Sequence, residues 1–253
     1  SILGDANKEN LLLSWCVSQN FNTLSLYNLN EIIDNPVPIV QLAQFIRKAR
    51  VTFGINQITA VRGTSANFIQ NAEYDSSQTD LNKRFSVYNL ENEWWNNGPA
   101  CNFSCYTSIL KTLKMYAKRG SPPMIAEAYI GWFKNPTGQE LNQANTLVNY
   151  LDRIMVHDYQ KSPQLGYMTS RLSFLGQAAK NQGRIMDVIV IFSAESEFMG
   201  DYFNVNSQNH SFEDAYVSIL DQFNAATFDF KDHVRLIGYQ IFAYSFAYTA
   251  RPT

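Results

Sequence analysis

Hydrophobic positions along this chain follow two rhythms that take turns. Short runs rich in β-branched and aromatic residues occur at 23–29, 51–58, 84–90, 124–130, 153–157, 187–192 and 235–244, and they read as strands. Between them the apolar residues recur at helical spacing. Ile39, Leu42, Ala43 and Ile46 mark one helix after Pro36 and Pro38, and Ile109, Leu110, Leu113 and Ala117 mark another. A third, with Leu141, Ala144, Leu147, Val148 and Leu151 on its face, follows Thr137-Gly138-Gln139-Glu140, which reads as a capping box. Leu172, Leu175, Ala178 and Ala179 belong to a fourth. Ala215, Ile219 and Phe223 belong to a fifth, behind the cap signal Ser211-Phe212-Glu213-Asp214.

Strands alternating with helices imply parallel βα units and place the chain in the α/β class. The predicted architecture is a single (β/α)8 TIM barrel over 1–253, since this length is typical of that fold and no Pro/Gly/Ser linker divides the chain. The segment 11–17 fits a helix capped near Asp5 or Asn7 and stopped at Asn20 better than a strand, so the first barrel strand is atypical, missing or confined to 1–3. On either reading Thr23 begins the second strand and Phe85 the fourth. An open doubly wound sheet is the rival, weakened because no Gly-rich phosphate loop follows an early strand. Segments 92–99 and 204–209 read as loops.

The stretch from Phe85 to Trp95 carries the candidate chemistry. Alternation along a strand puts Phe85, Val87, Asn89, Glu91 and Glu93 on one face. An amide and two carboxylates then stand in single file where the fourth strand ends, at the end of a barrel where active sites are built. Neighbouring carboxyls repel, so one can keep its proton near neutral pH, and such a pair of acids suits glycosidic bond cleavage. Glu127, polar among apolar residues of the fifth strand, is a candidate to line the mouth. Gln240 and Tyr244, expected on one face of the last strand, are candidate hydrogen-bonding residues. Trp94, Trp95 and Trp132 follow strand ends, where aromatic platforms for pyranose rings would sit.

Composition narrows the function. The net charge of −2, with no run of Lys or Arg, leaves no electrostatic footprint for nucleic acid. No apolar stretch reaches the length of a membrane span. The first residues do not read as a signal peptide, and a secreted or periplasmic location follows only from a glycan-directed function. Cys16, Cys101 and Cys105 read as buried or incidental thiols, with a local Cys101–Cys105 disulfide as an alternative. Three scattered His give no metal spacing, so neither metal nor cofactor is expected.

The segment Phe85-Ser86-Val87-Tyr88-Asn89-Leu90-Glu91-Asn92-Glu93-Trp94 resembles, without gaps, the fourth-strand motif Phe-Asp-Gly-x-Asp-x-Asp-x-Glu-Tyr of family 18 glycoside hydrolases, the chitinases and endo-β-N-acetylglucosaminidases. Met155-Val156-His157-Asp158-Tyr159 is similar to that family's sixth-strand Met-x-Tyr-Asp-Tyr/Phe. The resemblance implies an N-acetylglucosamine-containing glycan as partner and substrate-assisted retention. Glu93 falls on the general acid, Glu91 on the acid that orients the acetamide and Asn89 on its support. His157 takes the place of the Tyr that contacts the acetamide, and Asp158 and Tyr159 keep their places. Ser86 and Val87 replace Asp and Gly, so the motif is degenerate, and barrels of this kind include inactive carbohydrate-binding members. Asn92-Glu93 also resembles the acid/base pair of the two-glutamate retaining β-glycosidases. Under that reading Glu195 or Glu197, at the end of the seventh strand, is the nucleophile.

Overall fold

The computed structural model describes residues 2–96, 101–134 and 136–252. Seven strands occur among the described residues: β1 (Thr23–Leu26), β2 (Gln57–Arg62), β3 (Val87–Leu90), β4 (Ile125–Ile130), β5 (Arg153–His157), β6 (Met186–Ser193) and β7 (Val234–Phe242). They form one sheet in chain order, and the registered pairs are all parallel. Sequential parallel strands joined by helices define the (β/α)8 barrel class, here with the first strand missing. The chain divides into two compact units, one running to Asn92 with Ser104–Glu127, the other comprising Glu93–Phe103 and the chain from Ala128 onward.

In the first unit, the sequence ahead of β1, where a first barrel strand would fall, forms helix α1 (Ala6–Ser18). Asp5 caps it, its Oδ1 accepting from the Asn7 and Lys8 amides at 3.1 and 3.2 Å. No strand forms at Ile2 or Leu3, and Ser1 lies outside the described residues. After β1 come a short helix α2 (Asn30–Ile33) and α3 (Pro36–Val51). The strand expected at 51–58 is displaced: Val51 still belongs to α3, Gly54 turns the chain at φ +71, and pairing starts only at Gln57. Helix α4 (Ser65–Ser77) follows β2, and α5 (Phe103–Arg119) leads towards β4. The outer face of β3 is fixed to α4 by a buried acid. The Asp75 carboxylate accepts from the Phe85 amide at 2.9 Å and the Tyr88 hydroxyl at 2.5 Å. Burial pushes this acid up to about 7 against those hydrogen bonds.

In the second unit, α6 (Glu140–Tyr150) and α7 (Leu165–Asn181) flank β5, and α8 (Gly200–Phe203), α9 (Phe212–Ala225) and α10 (Tyr244–Ala250) complete the helices. The box expected at Thr137–Glu140 does not cap α6, whose N-cap Gln139 makes no side-chain capping bond to the helix backbone. Ser211 and Asp214 do form a capping box on α9. Met155, Ile189 and Ile191 form a core on the inner face of β5 and β6, with Tyr129, Tyr159 and Phe242 packed on it. Strand β7 carries a bulge: Leu236 pairs with Val188 and Gly238 with Ile189, so Ile237 is the extra residue. Gly238 takes φ +154 there, a conformation that L side chains rarely adopt.

Candidate functional site

The expected file of polar residues divides along the chain. Val87 and Asn89 lie within β3 and are buried. Asn89, 2% exposed, donates through Nδ2 to Glu127 Oε1 at 2.8 Å, and Glu127 is itself 0% exposed. That amide and carboxylate are tied to each other rather than presented to solvent. Glu91 stays on the ladder, its amide donating to the Arg62 carbonyl at 2.9 Å. The Asn92 Nδ2 donates to the Gly63 carbonyl at 3.3 Å. Ser86, where the family motif has its first Asp, accepts instead from the Arg50 guanidinium.

Glu91 lines a polar cleft of about 230 Å³ together with Tyr27, Asn28, Asn30, Arg62 and Asn67. This cleft opens at the C-terminal ends of β1 and β2. Arg62 is 3% exposed and donates to Asn30 Oδ1 and Gln70 Oε1, both at 2.7 Å. Desolvation lowers its pKa to about 10, and the negative charge of Asp34 opposes that shift. Nothing in the pattern around Gln57–Arg62 marks this arginine as buried, so sequence reading misses it.

Glu93 lies in the second unit, just beyond the end of β3, and is half-buried. Its Oε2 accepts from Asn96 Nδ2 at 2.8 Å, and its side chain makes no other hydrogen bond among the described residues. Trp94 and Trp95 are 1% and 2% exposed. They pack edge to face at 4.6 Å, with Phe103 and Tyr129 as further neighbours at 5.3 and 5.7 Å. Neither offers a ring to solvent. Gly131 receives the Trp95 indole so closely that an added Cβ would stand 2.7 Å from it. The end of the expected loop, 97–99, lies outside the described residues.

Parallel register sets a second group of residues at one height. His157 pairs with Ile191 and Ile191 with Gln240, so an imidazole and an amide flank an isoleucine on the inner face. Tyr244, expected beside Gln240, is the first residue of α10 instead, because β7 ends at Phe242. Aromatic rings surround His157: Tyr159 at 4.7 Å, Tyr167 at 5.6 Å, Trp132 at 5.8 Å and Tyr129 at 5.9 Å. Neither ring nitrogen makes a well-aligned hydrogen bond among the described residues, although the Gly131 backbone lies close enough to act on the ring and favour its protonated form. Desolvation, with repulsion from Arg171, pushes the His157 pKa down to about 3, so the ring is neutral at physiological pH. Asp158 has the opposite displacement: burial raises it to about 7, although its Oδ2 accepts from the Gln164 amide at 2.8 Å.

Arg171 organises this cluster and is invisible in the sequence pattern, where it sits beside Leu172 as one more helical residue. It is buried, donates to the carbonyls of Gly131 at 2.9 Å and Tyr167 at 2.6 Å, and lies over the Trp132 and Tyr167 rings at 4.6 and 4.8 Å. Trp132, half-buried, is thereby held between a guanidinium and an imidazole. Tyr159 stacks in a tilted arrangement on Phe198 at 5.1 Å. At the end of β6, Glu195 Oε2 accepts from Ser193 Oγ at 2.8 Å, while Glu197 is exposed. No group of three or more His, Cys, Asp or Glu among the described residues is placed to hold a metal ion. Cys16 is free, while Cys101 and Cys105 are disulfide-bonded.

No protein-family model matches the chain, and no curated protein matches it. Among solved structures it is similar to the catalytic domain of the GH26 endo-beta-1,4-mannanase of Bacillus sp. JAMB-750. The identity is 10% and the TM-score 0.56, over 91% of this chain and 68% of that one. Two more distant structures align over similar lengths and add no argument. The lysine/ornithine decarboxylase of Vibrio vulnificus has 11% identity and a TM-score of 0.41, over 92% and 60% of the two chains. The agarase AgWH50C has 11% identity and 0.40, over 94% and 44%. The fold is thus a barrel of the kind glycoside hydrolases use. At this identity the likeness extends to fold alone and does not single out family 18. No helix of the described residues is long and apolar enough to cross a membrane.

Proposed function

We propose that the chain is a glycoside hydrolase-like barrel acting on an N-acetylglucosamine-containing glycan, with Glu93 as general acid. The observation that carries this reading is the placement of Glu93 directly beyond the C-terminal end of β3, half-buried, with one carboxyl oxygen anchored by Asn96 and the other without a hydrogen bond among the described residues. A positioned acid of this kind can protonate a leaving glycosidic oxygen. The 2-acetamido oxygen of the substrate then attacks the anomeric carbon, the aglycone departs with the proton, and water reopens the cyclic intermediate with retention. His157, held neutral by burial, has the chemistry to hold an acetamide without forming an ion pair. Trp132 and Tyr159 supply aromatic surface beside it.

A second reading is favoured by one observation. The Glu195 side chain is clamped to Ser193, at the end of β6, where a two-glutamate enzyme carries its nucleophile. Under that reading we take a β-mannoside, the substrate class in the name of the structurally similar mannanase, as the one to test. A non-catalytic glycan-binding barrel is the outcome if neither holds. The test is hydrolysis of chromogenic N-acetylglucosamine and β-mannan oligosaccharides by the wild type, Glu93→Gln and Glu195→Gln. Loss in Glu93→Gln alone, on the acetamido substrate, supports the first reading. Loss in both, with a glycosyl-enzyme trapped, replaces it with the second, and oligosaccharide binding without turnover removes the enzymatic claim. On this reading the protein works outside the cytoplasm, secreted or periplasmic, and the disulfide-bonded cysteines support that reading.

A further inference from the structure

We propose that the cleft at the C-terminal ends of β1 and β2 is a binding subsite for one hydroxyl-bearing sugar ring, with the Asn30 amide as donor and the Glu91 carboxylate as acceptor. The inference rests on the carbohydrate reading above and adds a place and a polarity to it.

The argument starts from Arg62. A guanidinium only donates. Asn30 Oδ1 and Gln70 Oε1 receive its hydrogen bonds at 2.7 Å, so both amides must turn their oxygens towards it. Asn67 Nδ2 donates to the same Asn30 Oδ1 at 3.0 Å, and Gln70 Nε2 is spent on Asp34 Oδ1 at 3.0 Å. The orientation of Asn30 is therefore fixed by two donors, and its own Nδ2 bonds no described residue. Asn30 is exposed and lines the cleft, so this N–H₂ group is available to a ligand. Arg62 has a second mark of a built site: it is 3% exposed and its Nε has no partner among the described residues. Such a cost is kept when it orders something else.

Across the same cleft stands Glu91, an acceptor. Tyr27, 40% exposed, contributes a ring at the rim. A donor, an acceptor and an aromatic face are what adjacent hydroxyls and the C–H face of a pyranose require. The volume of about 230 Å³ lies below the range of roughly 300–1,000 Å³ for drug-sized ligands, which limits the occupant to a single ring. Arg62 is a positioning residue under this proposal, and Asn30 and Glu91 touch the ligand.

The decisive variant is Asn30→Asp in the full chain. A carboxylate still accepts from Arg62 and Asn67, and does so more strongly, but it has no N–H to offer a ligand. Calorimetric or ligand-observed NMR titration uses the methyl β-glycosides of N-acetylglucosamine and mannose and their linear oligosaccharides. Expected is a loss of roughly three- to tenfold in affinity, the worth of one hydrogen bond, with an unchanged or raised melting temperature. Glu91→Gln weakens binding to a similar degree. Wild-type affinity in Asn30→Asp, or no binding of any probe to the wild type, overturns the subsite. Binding sensitive to Asn30→Asp without any hydrolysis leaves the subsite standing and removes the hydrolase reading. Hydrolysis that depends on Glu93 but ignores Asn30→Asp does the reverse.

Discussion

Asp158→Asn separates a structural acid from a chemical one. Burial raises Asp158 from the usual 3.8 to about 7, while the Gln164 amide and Arg171 act in the opposite direction. An acid whose folded-state pKa is raised holds its proton longer folded than unfolded. Its contribution to stability is therefore complete below the unfolded value and is lost as pH rises from about 4 to about 7. Roughly three units at about 1.36 kcal/mol each set an upper figure of about 4 kcal/mol for that loss. The asparagine oxygen can take over the Gln164 amide, and its N–H₂ replaces Oδ1, which has no hydrogen-bond partner among the described residues. Urea unfolding at intervals between pH 4 and pH 8 is the assay. The variant is expected to match the wild type at pH 4 and to exceed it by about 2–4 kcal/mol at pH 8. Parallel profiles, or a wild type that is the more stable at pH 8, would refute the reasoning. If the carboxyl also takes part in turnover, the same variant gains stability while kcat falls, the trade expected of a strained functional group.

Three further variants test contacts described above. Arg171→Met removes two charge-assisted bonds to carbonyls and two ring contacts, so unfolding free energy is expected to fall by about 3 kcal/mol or more in urea titrations. In the same variant the His157 pKa, followed by NMR, moves up from about 3 because a repelling charge is gone. Gly131→Ala drives a methyl group into Trp95 and should cost about 1–3 kcal/mol, with a shift in tryptophan fluorescence; no thermal destabilisation would contradict the contact. Ser211→Ala removes half of the α9 capping box and should cost about 1 kcal/mol, with no effect on glycan binding.

Strand identity was legible where apolar runs are bounded by polar residues, as at Arg153–His157, which forms as expected. It failed at 51–58 because α3 runs on through Val51 to its C-cap Thr52, and the chain turns only at Gly54. Helix α4 escaped notice for a related reason. Its buried residues are Phe68, Asn71, Tyr74 and Asp75, and two polar residues in four break the apolar period. At the site, position along the strand located Glu91 and Glu93 at the end of β3. Burial was not legible: alternation gives Asn89 and Glu127 a face, but only the fold shows that they satisfy each other. Arg62 and Arg171 were missed because buried arginines depend on carbonyls and amides supplied by distant segments, which leave no local periodicity.

The extra residue in β7 has a consequence for how this chain can change in length. On one side of Ile237 the ladder runs Leu236 to Val188, and on the other it resumes with Gly238 opposite Ile189. Losing Ile237 would close the ladder and leave Gln240 facing Ile191, at the height of His157. Losing Tyr239, which pairs with Val190, would instead pull every later side chain across the sheet. A one-residue deletion is thus silent for pairing at the bulge and disruptive just beyond it, so length variation among related chains should gather at that point of the strand.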